Sequence, residues 1–265
     1  MPVAFAYPAA NAAPALSTQR GSAMTVLKGM VSGIGGPGCA IIMGTIVLVV
    51  TSLIVPGGPF IDNVDQTEFP EAIEALADNA NLTHVITLLG ILGAILVSFG
   101  LFAFFGLSGD AASTTHAWLR FGVVLNLFHY AIFILASGLR HFLLIVEDGG
   151  VGTGGEDEAV SLGLHAAGIG LHFAFLTVSA VASMALGVGL ARRFGSLNVY
   201  AAFCWLLVLA GVLGLVNVIV GEHFGDDLEV VAWISNIGIL IAAVCLIVIG
   251  YGVHTGQGEL VADDS

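Results

Sequence analysis

The chain has 265 residues, of which 57% are hydrophobic and only 9% charged, and its mean hydropathy is +1.01. Soluble domains carry about 25% charged residues, so this composition excludes an ordinary soluble fold. A formal net charge of −13 with a single lysine excludes a basic surface for nucleic acid.

Residues 1–29 are rich in alanine and proline, with Pro2, Pro8 and Pro14. No basic residue precedes their small apolar run, so the charged opening of a signal peptide is missing. This stretch is expected to be a mobile or partner-bound arm, and Met24 is a second candidate start.

From there on the sequence is a series of apolar runs, most of them near or above the ~20 residues that cross a bilayer as helix. In lipid the backbone must satisfy its own hydrogen bonds, so the expected fold class is all-α, a six-helix transmembrane bundle. The spans are expected at about 39–55, 83–107, 117–146, 159–190, 199–221 and 230–253, within a transmembrane domain over 30–254, and a polar tail runs from 255 to 265. A Gly-rich entry, Gly33 to Gly38, precedes the first span, and Pro56-Gly57-Gly58 stops it.

The loop after the first span contains a short amphipathic helix. Phe69, Ile73, Leu76 and Ala80 recur at helical spacing, while Glu68, Glu71, Glu74 and Asp78 fall mainly on the other faces. Thr67 is the candidate N-cap, and Pro70 is tolerated in the first turn. In the second span Gly90, Ala94 and Ser98 stand four apart, a small-residue stripe that admits a close neighbour. Trp118, Trp205 and Trp233 lie near span ends, as interface anchors do. Cys39, Cys204 and Cys245 lie in or beside apolar spans without metal-ligand spacing and read as small buried hydrophobes.

Charge sets the expected orientation. Fifteen of the 19 acidic residues fall in 56–83, 147–158 and 222–229. Arg20, Lys28, Arg120, Arg192 and Arg193 all belong to the opposite side of a six-span plan. The positive-inside rule then places both termini in the cytoplasm of a prokaryotic cell membrane, with the acidic loops outside. Asn81-Leu82-Thr83 is a glycosylation sequon that abuts the second span.

The functional signal is concentrated in the third and fourth spans, a hairpin from Trp118 to Arg193. Asn126, His129 and Arg140 share one stripe of the third span, with His141 a quarter-turn away. His165 and His172 share a stripe of the fourth, with Gly168 and Ser179 beside it. Polar groups facing lipid are costly, so both stripes are expected to face inward. In an antiparallel hairpin, His129 and His172 then lie within roughly 6 Å of each other in depth.

Three functional readings compete with a structural one. His129 and His172 are candidate axial ligands of haem b for electron transfer, with Arg140 or His141 at its propionates. The arrangement is similar in outline to membrane di-haem cytochromes, from which it departs in its unequal depths and its single histidine pair. A second candidate is a zinc or copper site at the outer surface, from His84, His141, His165, Glu222 and His223. A third is a polar outer vestibule of a small-ligand or proton transporter or sensor. Against these, the histidines and asparagines serve only to hold helices together. The chain is then a structural or accessory subunit, with the bilayer and other membrane subunits or further copies of itself as partners. No Ser-His-Asp, Cys-His or nucleotide motif is present, so an enzyme acting alone is not expected.

Overall fold

The structure is a computed structural model. It describes residues 36–66, 68–106, 114–148, 157–224 and 228–261, with backbone only at 157, 222–224, 228, 229, 231 and 232. The N-terminal arm, Thr67 and the loop 149–156 lie outside the described residues, as do most of the Gly-rich entry and the last four residues of the tail.

Among the described residues seven α-helices follow one another: α1 (Pro37–Leu53), α2 (Phe69–Asp78), α3 (Ala80–Phe102), α4 (Thr114–Glu147), α5 (Asp157–Ala191), α6 (Val199–Phe224) and α7 (Leu228–His254). Short 3-10 turns at Ala103–Phe105 and Gly258–Leu260 follow α3 and α7. No strand occurs among the described residues; the one β-bridge joins Pro56 to Ile61. The helix bounds lie within a few residues of those expected, because each run is closed by polar residues, Gly or Pro.

Among the described residues five helices, α3 to α7, are long and apolar enough to cross a bilayer. The first run differs. α1 has 17 residues, a rise of about 25 Å against the ~30 Å of a hydrocarbon core. Five long apolar helices are thus established, and α1 is an apolar helix below that length.

Every long helix packs on its sequence neighbour, and α1 packs on both α3 and α7. The order α1-α3-α4-α5-α6-α7 therefore closes into a ring. Glycines set the closest approaches. A Cβ on Gly44 would stand 2.6 Å from the Gly93 carbonyl, and one on Gly122 2.3 Å from the Leu186 amide nitrogen. Gly38 and Gly250 meet likewise between α1 and α7. In a membrane, where hydrophobic burial between helices supplies little, such contact is a main source of association.

The packed core sits toward one end, beside Arg120, Arg192 and Arg193, here the basic end. All six ring helices contribute to it, among them Ile41, Leu101, Leu119, Leu186, Cys204 and Ile249. The C-terminal turn reinforces this end: Leu260 is buried, and the Arg193 Nε donates to the Glu259 carbonyl at 2.6 Å.

At the acidic end α2 lies across the bundle. Its Ile73 and Leu76 pack on Leu143 and Leu144 of α4, with Leu162 and Leu164 of α5 beside them. No side chain caps its N-terminus at Glu68. The loop before it is braced by Gln66 Nε2 donating to the Gly57 carbonyl (2.8 Å) and by Asn79 Nδ2 donating to the Asp62 carboxylate (2.7 Å). Gly57 takes φ +78°, a conformation that favours glycine.

Candidate functional site

α4 and α5 form the most extensively packed helix pair, and the polar side chains lie along their meeting. Deep in the pair, Asn126 Nδ2 donates to the Gly122 carbonyl (2.8 Å) and, across the interface, to the Ala182 carbonyl (3.3 Å). Asn126 is therefore a helix tie.

His129 stands one turn further along α4, 6% exposed, with its Nδ1 unbonded. Its ring lies against Tyr130 (centroids 3.9 Å) and Phe175 of α5 (5.1 Å). His172 stacks on the same Phe175 at 5.9 Å, and Phe133 closes on it at 5.9 Å. One aromatic side chain thus touches both deep histidines.

The setting of His172 follows from helix geometry. Gly189 and Leu186 on one flank of α5 meet α4, while Gly187 and Ala180 on the other meet α6. The ring interior lies between those flanks. His165 and His172 lie about 20° apart on that inward face, whereas Gly163, Ala167, Gly170 and Ala174 lie roughly 140–180° round from His165. The latter four are exposed, as lipid-facing residues should be. His172, on the His165 side of the helix, is also exposed. A Cβ added to Gly168, on the same inward face, would meet nothing within 4 Å.

Arg140 lies three turns beyond His129 on α4 and is half-buried. His165 is 7% exposed; its Nε2 donates to the Gln66 carbonyl at 3.2 Å, and Phe69 meets its ring edge-on at 4.9 Å. The ring bond fixes the tautomer and leaves Nδ1 as the free nitrogen. The loop before α2 and the first residue of α2 therefore rest on this histidine.

The expected outer cluster separates in part. His84 of α3 and His141 of α4 pair directly, Nδ1 to Nδ1 at 2.8 Å, with rings edge-on at 4.4 Å. One ring must donate and the other accept. His165 bonds elsewhere, as above. The side chains of Glu222 and His223 lie outside the described residues. Among the described residues no three His, Cys, Asp or Glu side chains come together as metal ligands.

Other expectations can be placed. Cys204 and Cys245 are buried and unpaired, and Cys39 is half-buried. Trp118, Trp205 and Trp233 are exposed. The sequon threonine, Thr83, is buried in α3 and donates to the Leu76 carbonyl at 3.1 Å. In the Gly90, Ala94 and Ser98 stripe, Gly90 and Ala94 are buried, but the closest approach to α1 is one residue round, at Gly93 and Gly100. Asn217 ties α6 to α7 by donating to Ser235 (2.8 Å), whereas Asn236 is exposed. A serine gives no warning of such a role, because it is common in apolar helices.

No family model matches the chain, and no curated protein or solved structure resembles it.

Proposed function

We propose that this chain is a six-span membrane protein that receives a small ligand in a polar vestibule, as a transporter or sensor. The vestibule lies between α4 and α5 at the acidic end of the ring. The observation that carries the reading is the pair of histidines about Phe175: His172 is exposed, and the buried His129 beyond it holds an unbonded nitrogen. A buried polar atom without a partner costs on the order of 1–3 kcal/mol, a cost that a bound water or ligand relieves.

The six-span plan counts α1 as a crossing. α1 completes the ring, and Met43, Ile46 and Val50 expose an apolar face as the longer helices do. The positive-inside rule then puts both termini in the cytoplasm and the acidic end outside. The packed core at the basic end suits entry from outside.

The haem reading and the structural-subunit reading use the same residues. A porphyrin ligated by both His129 and His172 has to displace Phe175 from at least one of them, so the ligand reading is preferred. A structural subunit needs no accessible imidazole on an inward face.

Cysteine accessibility tests the vestibule. His172→Cys is expected to react with a water-soluble thiol reagent. Ala174→Cys, on the lipid face, is expected not to react, because thiolate forms only where water reaches. The wild-type chain supplies the background of its own three cysteines. An inert His172→Cys, or equal reaction at both sites, would overturn the reading. Reduced b-type bands in the absorption spectrum of the purified protein, lost in His129→Ala or His172→Ala, would replace it with the haem reading.

A further inference from the structure

We infer that His84 and His141 form a binding site for a divalent transition-metal ion, held by their two Nδ1 atoms between α3 and α4. The inference goes beyond the vestibule reading and uses none of its residues.

His84 lies one turn into α3 and His141 less than two turns before the end of α4, so both stand at the acidic end. Both are half-buried. Their Nδ1 atoms are 2.8 Å apart, with ring centroids at 4.4 Å. Two nitrogens held at a right angle by one ion, each at ~2.0 Å, stand about 2.8 Å apart. The pair therefore has the span of two neighbouring ligands on a square or octahedral ion. Rings collinear with an Nδ1–Nδ1 bond would hold their centroids roughly 5 Å apart. At 4.4 Å the rings are turned off that line, which lets both lone pairs meet at one point. The donor ring needs only to move its proton from Nδ1 to Nε2, so two neutral imidazoles take the ion without net loss of a proton.

A second observation points to the same place. Thr87 is 3% exposed, and its Oγ1 has no hydrogen-bond partner. It stands one turn deeper than His84 on α3 and about 60° round from it. It lies between His84 and Gly90, and both of these meet α4; a Cβ on Gly90 would stand 3.4 Å from Phe133 Cζ. Helix side chains lean toward the N-terminus, which for Thr87 is toward His84. A buried hydroxyl without a partner calls for a water or ligand, and water carried by the ion meets that need.

The ligand type narrows the ion. Imidazole suits nickel, copper and zinc, whereas magnesium and calcium take oxygen. The helix ends that carry the pair border the acidic runs 56–83 and 147–158, whose charge draws cations.

The test uses the full chain in lipid nanodiscs, with Ni²⁺, Cu²⁺ and Mg²⁺ as probes. Calorimetric titration is expected to show Ni²⁺ binding, and bound Ni²⁺ to raise the unfolding temperature, because it joins α3 to α4. Mg²⁺ should do neither. His84→Gln and His141→Gln should each weaken Ni²⁺ binding at least tenfold. Thr87→Val should weaken it several-fold, and unchanged affinity there removes Thr87 from the site. Cu²⁺ on the wild-type chain should show two nitrogen donors in its electron paramagnetic resonance spectrum. That measurement decides the matter if the histidine variants do not fold, and one nitrogen or none overturns the inference. A wild-type chain that takes up no Ni²⁺ leaves the pair a helix tie only and overturns the site. Ni²⁺ bound equally well by both histidine variants places the ion elsewhere and overturns it as well.

Discussion

The polar residues within the apolar helices divide by what they touch. Asn126 and Asn217 reach neighbouring helices and hold them, whereas His129 is enclosed and keeps an unbonded nitrogen, and His172 is exposed beside Phe175. Interhelical hydrogen bonds in membranes contribute about 0.6 kcal/mol on average and at most about 1.7. A double-mutant cycle of Asn217→Ala with Ser235→Ala should therefore return a coupling of about 0.5–1.5 kcal/mol in reversible unfolding. Zero coupling would remove the tie. The sequence exposed Asn126, His129, Arg140, His165 and His172 as members of two stripes because charge and amide stand out against valine and leucine. It did not expose the His84–His141 pair as a pair, since those residues lie 57 positions apart and nothing in either span records the rotation of the other. Ser235 escaped for a different reason, being neither charged nor periodic.

At the scale of the helix, length and hydropathy were the legible quantities, and they located α3 to α7 to within a few residues. Packing partners were not legible, because small residues occur on nearly every face of this Gly-rich chain. The contact that matters most is Gly122 against Leu186, where no Cβ fits. Gly122→Val should cost at least the 1–3 kcal/mol of overpacking, seen as a lower midpoint in denaturant. An unchanged midpoint would mean that α4 and α5 can separate freely there. The amphipathic α2 was legible by its period, and its seat on Leu143 and Leu144 explains why its apolar face points down. Leu76→Asp places a charge in that seat. It should raise protease cleavage in the 54–68 loop several-fold, because the loop is anchored through α2 and the His165–Gln66 bond. Digestion at the wild-type rate would show α2 to be dispensable to the loop.

For the molecule as a whole, the asymmetry of charge and the asymmetry of packing coincide. The basic end holds the six-helix core and the clamped C-terminal turn. The acidic end holds α2, the His84–His141 pair and the seat of Gln66 and Phe69 on His165. Loop charges were countable in the sequence, whereas closure of the ring through α1 was not, since it depends on Gly38 meeting Gly250 across some 210 residues of chain. The two asymmetries make one joint prediction about the membrane. With the basic end inside, a membrane-impermeant thiol reagent applied to intact cells should label Asp148→Cys, an exposed residue just past α4. It should miss Ser196→Cys, exposed between α5 and α6, until the membrane is permeabilised. Both residues border α5, so α5 must cross the bilayer for the two to differ. Labelling of Ser196→Cys alone would invert the protein and turn the acidic end toward the cytoplasm. Labelling of both would mean that α5 does not span, and the inward face of His172 would lose its meaning.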